Sequence, residues 1–295
     1  MSAAGDGHRS HAPRHPVRLV GLDAASQHSK FGYALGRLDP DTSTVVVEHA
    51  GLLGDADDPL RHRVAPFVRG SGRVLVAIDA PLGWPDGMRR FLGEHAAAVP
   101  PPADLAKDDC FRRRTDIAVR AIKFPLEVAA DRIARAAFEA LCVLRELRVL
   151  SQQPLALAWA PGFDGAASIE VYPGATLAAR KLSKAPYKLI GQASGRAQII
   201  DALARARLIA ELPMEARTRA LANADVLDAI LCMVAARDFL AGECAPPDET
   251  HLDQIKREGW IWVRRTAAEC NEPNGQVQGD RTGEPIRALA PNPGE

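Results

Sequence analysis

Val17-Arg18-Leu19-Val20-Gly21-Leu22-Asp23 and Val74-Leu75-Val76-Ala77-Ile78-Asp79 are the two stretches on which the fold turns. Each is a short, nearly continuous apolar run, the pattern of a strand covered on both faces. Each ends in an aspartate. Two further strand-like segments, residues 31–35 and 44–49, lie between them, bounded by turn chemistry such as Asp39-Pro40-Asp41. The three N-terminal segments are close enough in sequence to form an antiparallel meander. Leu60, Val64, Phe67 and Val68 then fall at helical spacing, with Pro66 restricting that helix to a short or kinked one. A helical crossover into the second aspartate-ended strand places it parallel to the first. Both aspartates would then share the carboxyl edge of the sheet, on strands roughly 4.8 Å apart. Open α/β sheets place their sites at that edge.

Working outward, residues 80–124 carry Pro100-Pro101-Pro102 and many charges, and read as a long loop or inserted subdomain. Residues 126–150 have a long helical pattern with Ile133, Leu141 and Leu144 on the apolar side. A strand over 168–172 is stopped by Pro173, alanine-rich helices follow at 174–182 and 196–209, a strong helix at 223–240, and a short last strand at 260–263. No repeat is visible. The reading is one domain over 17–265, with a loop or helical insertion around 80–125. It is of α/β class: an antiparallel three-stranded meander followed by parallel strands in one mixed sheet, flanked by helices. Residues 1–16, with His8, His11 and His15, and residues 266–295, rich in Gly, Pro and Asn, are expected to be disordered or flexible tails.

Composition narrows the function classes. The chain has 47% hydrophobic and 25% charged residues, ordinary for a globular protein. Its 37 basic residues balance 37 acidic ones, so any nucleic-acid binding would rely on a local basic patch. Five scattered cysteines without a CxxC argue against a zinc knuckle or a disulfide framework and for a reducing compartment. No apolar run approaches the roughly 18 residues of a membrane span, and the N-terminus lacks a signal-peptide core, so a cytoplasmic location without membrane contact is expected. Gly70-Ser71-Gly72 lacks the Lys-Ser/Thr of a P-loop and precedes a strand. Ser194 lacks the strand-turn-helix setting of a nucleophile elbow.

The chemistry-bearing residues are carboxylates. Asp23 and Asp79, if adjacent, repel unless one is protonated or a cation lies between them; singly, each would be an ordinary turn-capping aspartate. Asp225-Val226-Leu227-Asp228 presents two more on one helical face. That face continues through the small residues Ala229, Cys232 and Ala236, which would let the helix backbone approach the sheet. With Asn223 as N-cap, Asp225 sits in the first turn, where an acid is favoured in any case; Asp228 lies beyond that turn. Glu170, at a strand end, reads either as an extra ligand or general base or as a solvated acid. Arg112 to Arg114 with Asp116 could grip a phosphodiester or form a solvated face. Lys188 and Arg196 are weaker substrate-binding candidates. Trp84 either stacks on an unpaired base or packs its loop.

Taken in order, Gly21-Leu22-Asp23, Ala77-Ile78-Asp79-Ala80-Pro81-Leu82-Gly83, Arg114-Thr115-Asp116, Ile169-Glu170-Val171-Tyr172-Pro173 and Asp225-Val226-Leu227-Asp228-Ala229 resemble domain-of-unknown-function family 429, described as predicted RNase H-like nucleases. The helix carrying Asp225 and Asp228, with an Asp-ended first strand, is also similar to RuvC-type resolvases of the RNase H-like fold. The resemblance implies an RNase H-like mixed sheet and metal-dependent phosphodiester hydrolysis of DNA or RNA. Asp23 would bridge two Mg²⁺ or Mn²⁺ ions, Asp79 would hold one, and Asp225 with Asp228 would complete the other, with Glu170 as a further catalytic candidate. Arg114 and Asp116 are singled out for substrate binding. Carboxylate ligands suit such hard cations. A non-catalytic nucleic-acid-binding or interaction module of the same fold is the alternative. An actin-like nucleotide phosphotransferase is disfavoured, because only Gly21 and Gly174 lie near positions its phosphate loops would need.

Overall fold

The computed structural model describes residues 16–182 and 185–266. The expected tails, with the three N-terminal histidines and Cys270, lie outside the described residues except at Pro16 and Thr266. Strands β1 (Val17–Asp23), β2 (Gly32–Leu38) and β3 (Val45–Leu52) form the antiparallel meander. Pro66 falls in the first turn of a short helix, α1 (Ala65–Arg69), which follows a wide π-type turn at Leu60–Val64. This crossover delivers β4 (Val74–Asp79) parallel to β1, with Asp23 directly opposite Asp79.

The segment expected as an insertion holds three short helices, α2 (Asp86–Glu94), α3 (Lys107–Phe111) and α4 (Arg114–Val119). Next come α5 (Asp131–Ser151), β5 (Ala156–Leu157), β6 (Ala166–Glu170), α6 (Pro173–Arg180), α7 (Ala193–Arg205), α8 (Met214–Ala222), α9 (Ala224–Leu240) and α10 (Leu252–Glu258). The sheet order is β3-β2-β1-β4-β6-β5, with β1, β4, β6 and β5 parallel. The last strand expected from sequence, 260–263, makes a single bridge from Ile261 to Glu170. The two-residue β5 already pairs with the first part of that edge of β6, so only the end is free to accept it.

Strand periodicity splits the core in two. Leu19, Ala34, Leu75, Ala77 and Ile169 face α9 and the helices around it, while Val20, Leu22, Leu35, Val76 and Ile78 face α5 and the turn before α1. Helix α9 is apolar all round, as suits a helix enclosed between a sheet and further helices. On α5 the buried stripe is Ala137, Ala140, Val143, Leu144 and Leu147, whereas the expected Ile133 and Leu141 are only partly covered. No helix among the described residues is long and apolar enough to cross a membrane.

Candidate functional site

Asp23 has the same parity as Leu19 and Gly21, and Asp79 the same as Leu75 and Ala77, so both point to the α9 side of the sheet. Helix α9 reaches them because the sheet offers it glycine. A Cβ on Gly21 would stand 1.9 Å from the Ala229 carbonyl oxygen, and one on Gly32 2.0 Å from the Asp225 carbonyl oxygen. The Cys232 thiol donates to the Leu22 carbonyl at 3.4 Å. The small-residue face expected from sequence is therefore the contact face. Asn223 caps the helix, its side chain accepting from the Asp225 N–H at 2.7 Å. Asp225 is held at the rim in the first turn, and Asp228, one turn on, is fully buried.

Asp23, Asp79 and Asp228 thus meet at the carboxyl end of β1 and β4. The Asp23 and Asp79 carboxyl groups share a hydrogen bond, which requires one of them to carry a proton. Burial, with the Asp228 and Asp79 charges adding to it, pushes Asp23 well above the usual carboxylate range. Burial likewise pushes Asp79 up to about 7, against the lowering pull of Lys188. Asp228 and Asp225 are raised by burial too, with Lys188 opposing in both.

Both oxygens of Asp228 are taken. The Tyr187 hydroxyl donates to one at 2.9 Å, and the Lys188 ammonium forms an ion pair with the other. Burial alone would lower the Lys188 pKa; the Asp228 and Asp23 charges outweigh it and raise the group above its ordinary value. The loop carrying these two residues is fixed by Arg196, on α7. Its guanidinium donates to the carbonyls of Tyr187, Leu189, Ile190 and Leu221 at 2.6–3.2 Å. Only 1% exposed, Arg196 is not a substrate-binding residue, contrary to the expectation from sequence; it positions the loop.

Beside the cluster lies a cleft of about 300 Å³. Asp79, Lys188 and Tyr172 line one side, Arg113 and Glu170 another, and Pro81, Leu126 and Ile133 form apolar walls. The volume is at the lower end for small-molecule sites.

Two more expectations are corrected here. Glu170 sits opposite Ile78 in the register, on the other parity from Asp79. It therefore turns away from the aspartates and meets the Arg113 guanidinium in two hydrogen bonds of 2.9 and 2.7 Å. Burial raises its pKa, with Arg113 opposing. Asp116 completes the same ion pair with Arg113 at 2.9 Å and is 1% exposed, out of reach of a substrate. The buried arginine is Arg113, whose i,i+3 spacing to Asp116 is the signal that distinguishes it within the Arg112–Arg114 run. Arg114 is partly exposed and uses its side chain on Gln254 at 3.3 Å. Tyr187 carried no signal in the sequence, since only the tertiary fold brings its loop to α9.

The donor set is all carboxylate, the chemistry a hard divalent ion takes. The arrangement does not fit one as it stands. Among the described residues, no group of three or more His, Cys, Asp or Glu side chains is placed to hold a metal ion. Asp228 is occupied by Tyr187 and Lys188, and Asp23 and Asp79 are hydrogen-bonded to each other.

A family model described as "Protein of unknown function (DUF429)" matches residues 38–251. The matched stretch contains Asp79, Glu170, Lys188, Asp225 and Asp228; Asp23 lies just before it. No curated protein and no solved structure matches the chain.

Proposed function

The chain belongs to the DUF429 family, and for this member of it we propose phosphodiester hydrolysis, with DNA or RNA as the substrate class and the Asp23–Asp79–Asp228 cluster as the reaction centre. One observation carries the reading: three buried carboxylates from β1, β4 and α9 converge at the carboxyl end of a parallel strand pair, beside an open cleft. Ordinary packing does not gather like charges in this way, because each raises the cost of ionising the next. Perturbed carboxylates at the edge of a cleft are a mark of chemistry rather than stability.

The residues supply acid–base function. Asp79, pushed up to about 7, is poised to exchange a proton near neutral pH, and its hydrogen-bonded partner Asp23 stabilises whichever of the two is ionised. Lys188 brings a positive charge to the mouth of the cleft, where a phosphate oxygen would lie. Two Mg²⁺ or Mn²⁺ ions are the cofactors this reading anticipates. No step is derived through them, because the side chains as placed leave them no site.

The test is cleavage of labelled single strands, duplexes, hybrids and junctions with Mg²⁺, with Mn²⁺ and with EDTA, by wild type and Asp23→Asn. Cleavage lost in a well-folded Asp23→Asn variant supports the proposal. Cleavage retained at the wild-type rate places the chemistry elsewhere. If the folded wild type cuts nothing, the alternative of a binding module of the same fold is favoured. The observation on its side is the Lys188–Asp228 ion pair, which already neutralises part of the cluster.

A further inference from the structure

We infer that Lys188 is a displaceable internal counter-ion: its ammonium and a divalent cation are alternative occupants of the same carboxylates, and a cation enters only when the loop releases Lys188. The inference rests on the proposed role of the acidic cluster and deepens it.

Three observations lead there. First, the ammonium is bound where a shared cation would have to sit. It is paired with Asp228, and its positive charge acts on Asp23, Asp79 and Asp225 as well. A buried acidic cluster requires either a proton or a cation, and this one has both, a proton between Asp23 and Asp79 and Lys188 on Asp228. Second, the holder is mobile by construction and the held group is not. The Lys188 side chain is 56% exposed while Asp228 is 0% exposed. A lysine on a flexible four-carbon stem can swing into the adjoining cleft, which it already lines, whereas Asp228 is fixed on a helix that touches the sheet through its backbone. Third, the loop is anchored on one side of the lysine and open on the other. Arg196 binds the carbonyls of Tyr187, Leu189 and Ile190, but the Lys188 carbonyl receives none of these bonds, and Leu189 and Ile190 are exposed at 69% and 96%. The backbone is therefore held in place while the Lys188 side chain remains free to exchange partners.

In this arrangement Arg196 is a positioning residue for Lys188. The released ammonium would still lie at the cleft mouth, available to a phosphate oxygen. The metal-free form keeps its charge balanced without recruiting an ion from outside.

The experiment measures Mn²⁺ binding to the full chain by electron paramagnetic resonance, for wild type, Lys188→Met and Asp228→Asn. A parallel arm reads acylation of Lys188 by an amine-reactive reagent, by mass spectrometry, with and without Mn²⁺. Lys188→Met preserves the length of the stem and removes the charge. It should bind Mn²⁺ roughly ten- to hundredfold more tightly than wild type, the range expected when a charged hydrogen bond no longer has to be broken. Asp228→Asn should bind more weakly than wild type. Saturating Mn²⁺ should raise acylation of Lys188 relative to Lys30 and Lys256. Equal Mn²⁺ affinity in wild type and Lys188→Met, with acylation unchanged, overturns the inference and leaves the metal-dependent reading standing. No Mn²⁺ bound by any of the three proteins, each shown to be folded by circular dichroism, overturns both.

Discussion

The proton held between Asp23 and Asp79 makes stability depend on pH in a direction opposite to that of most carboxylates. Asp79 is pushed from 3.8 to about 7 by burial, so the folded state keeps a proton that the unfolded chain has already lost. A raised carboxyl pKa favours folding at low pH: the contribution is complete below the unfolded value near 4 and is lost as pH rises through about 7. At about 1.4 kcal/mol per unit, the shift corresponds to about 4 kcal/mol, of which about 3 kcal/mol falls between pH 5 and pH 7. The raised values of Asp23 and Asp228 act with the same sign. Lys188, raised above its ordinary value, stays charged throughout this window and adds no slope. The assay is urea unfolding in EDTA at pH 5, 6, 7 and 8, for wild type and Asp79→Asn. Wild type should lose stability as pH rises, and Asp79→Asn, which cannot ionise, should flatten the curve and be the more stable protein at pH 8. A wild-type stability that rises or stays level over this range would refute the reasoning, as would an unchanged slope in Asp79→Asn.

Gly21→Ala should destabilise the protein by about 3 kcal/mol or more, because its Cβ would stand 1.9 Å from the Ala229 carbonyl oxygen and drive α9 from the sheet; Gly162→Ala, with nothing within 4 Å, should be near neutral in the same thermal melts. Glu170→Gln leaves the buried Arg113 with one charged partner and should cost roughly 3–5 kcal/mol in denaturant unfolding. A loss below 1 kcal/mol would show that Asp116 alone suffices.

The sheet could be read from sequence because its signals are local. Val17–Asp23 and Val74–Asp79 are apolar runs of strand length ending in turn-forming aspartates, and the short crossover between them leaves parallel pairing as the right-handed solution. The approach of α9 was legible for the same reason, since Ala229 and Cys232 recur on one helical face. Glu170 was misread because strand parity depends on register, and one residue decides whether a strand-end acid faces α9 or Arg113. Arg196 and Asp116 look like surface charges in the sequence; only the tertiary structure reveals four backbone carbonyls waiting for one and a buried guanidinium for the other. The Lys188–Asp228 pair spans 40 residues, with nothing in its spacing to announce it.

The Arg113 guanidinium has a consequence for how the molecule opens. It joins α4 to Glu170 of β6, 57 residues away, and to the Glu258 carbonyl at the end of α10, 145 residues away, while the Glu258 carboxylate accepts from the backbone N–H groups of Asp86 and Arg114. Glu170 in turn accepts from the Leu82 N–H. Peeling back either α10 or the helices of residues 86–119 would strand a buried charge, so these distant segments should fluctuate as a single cooperative unit. What reads along the chain as an insertion is, energetically, one half of a clasp closed by the C-terminal helix.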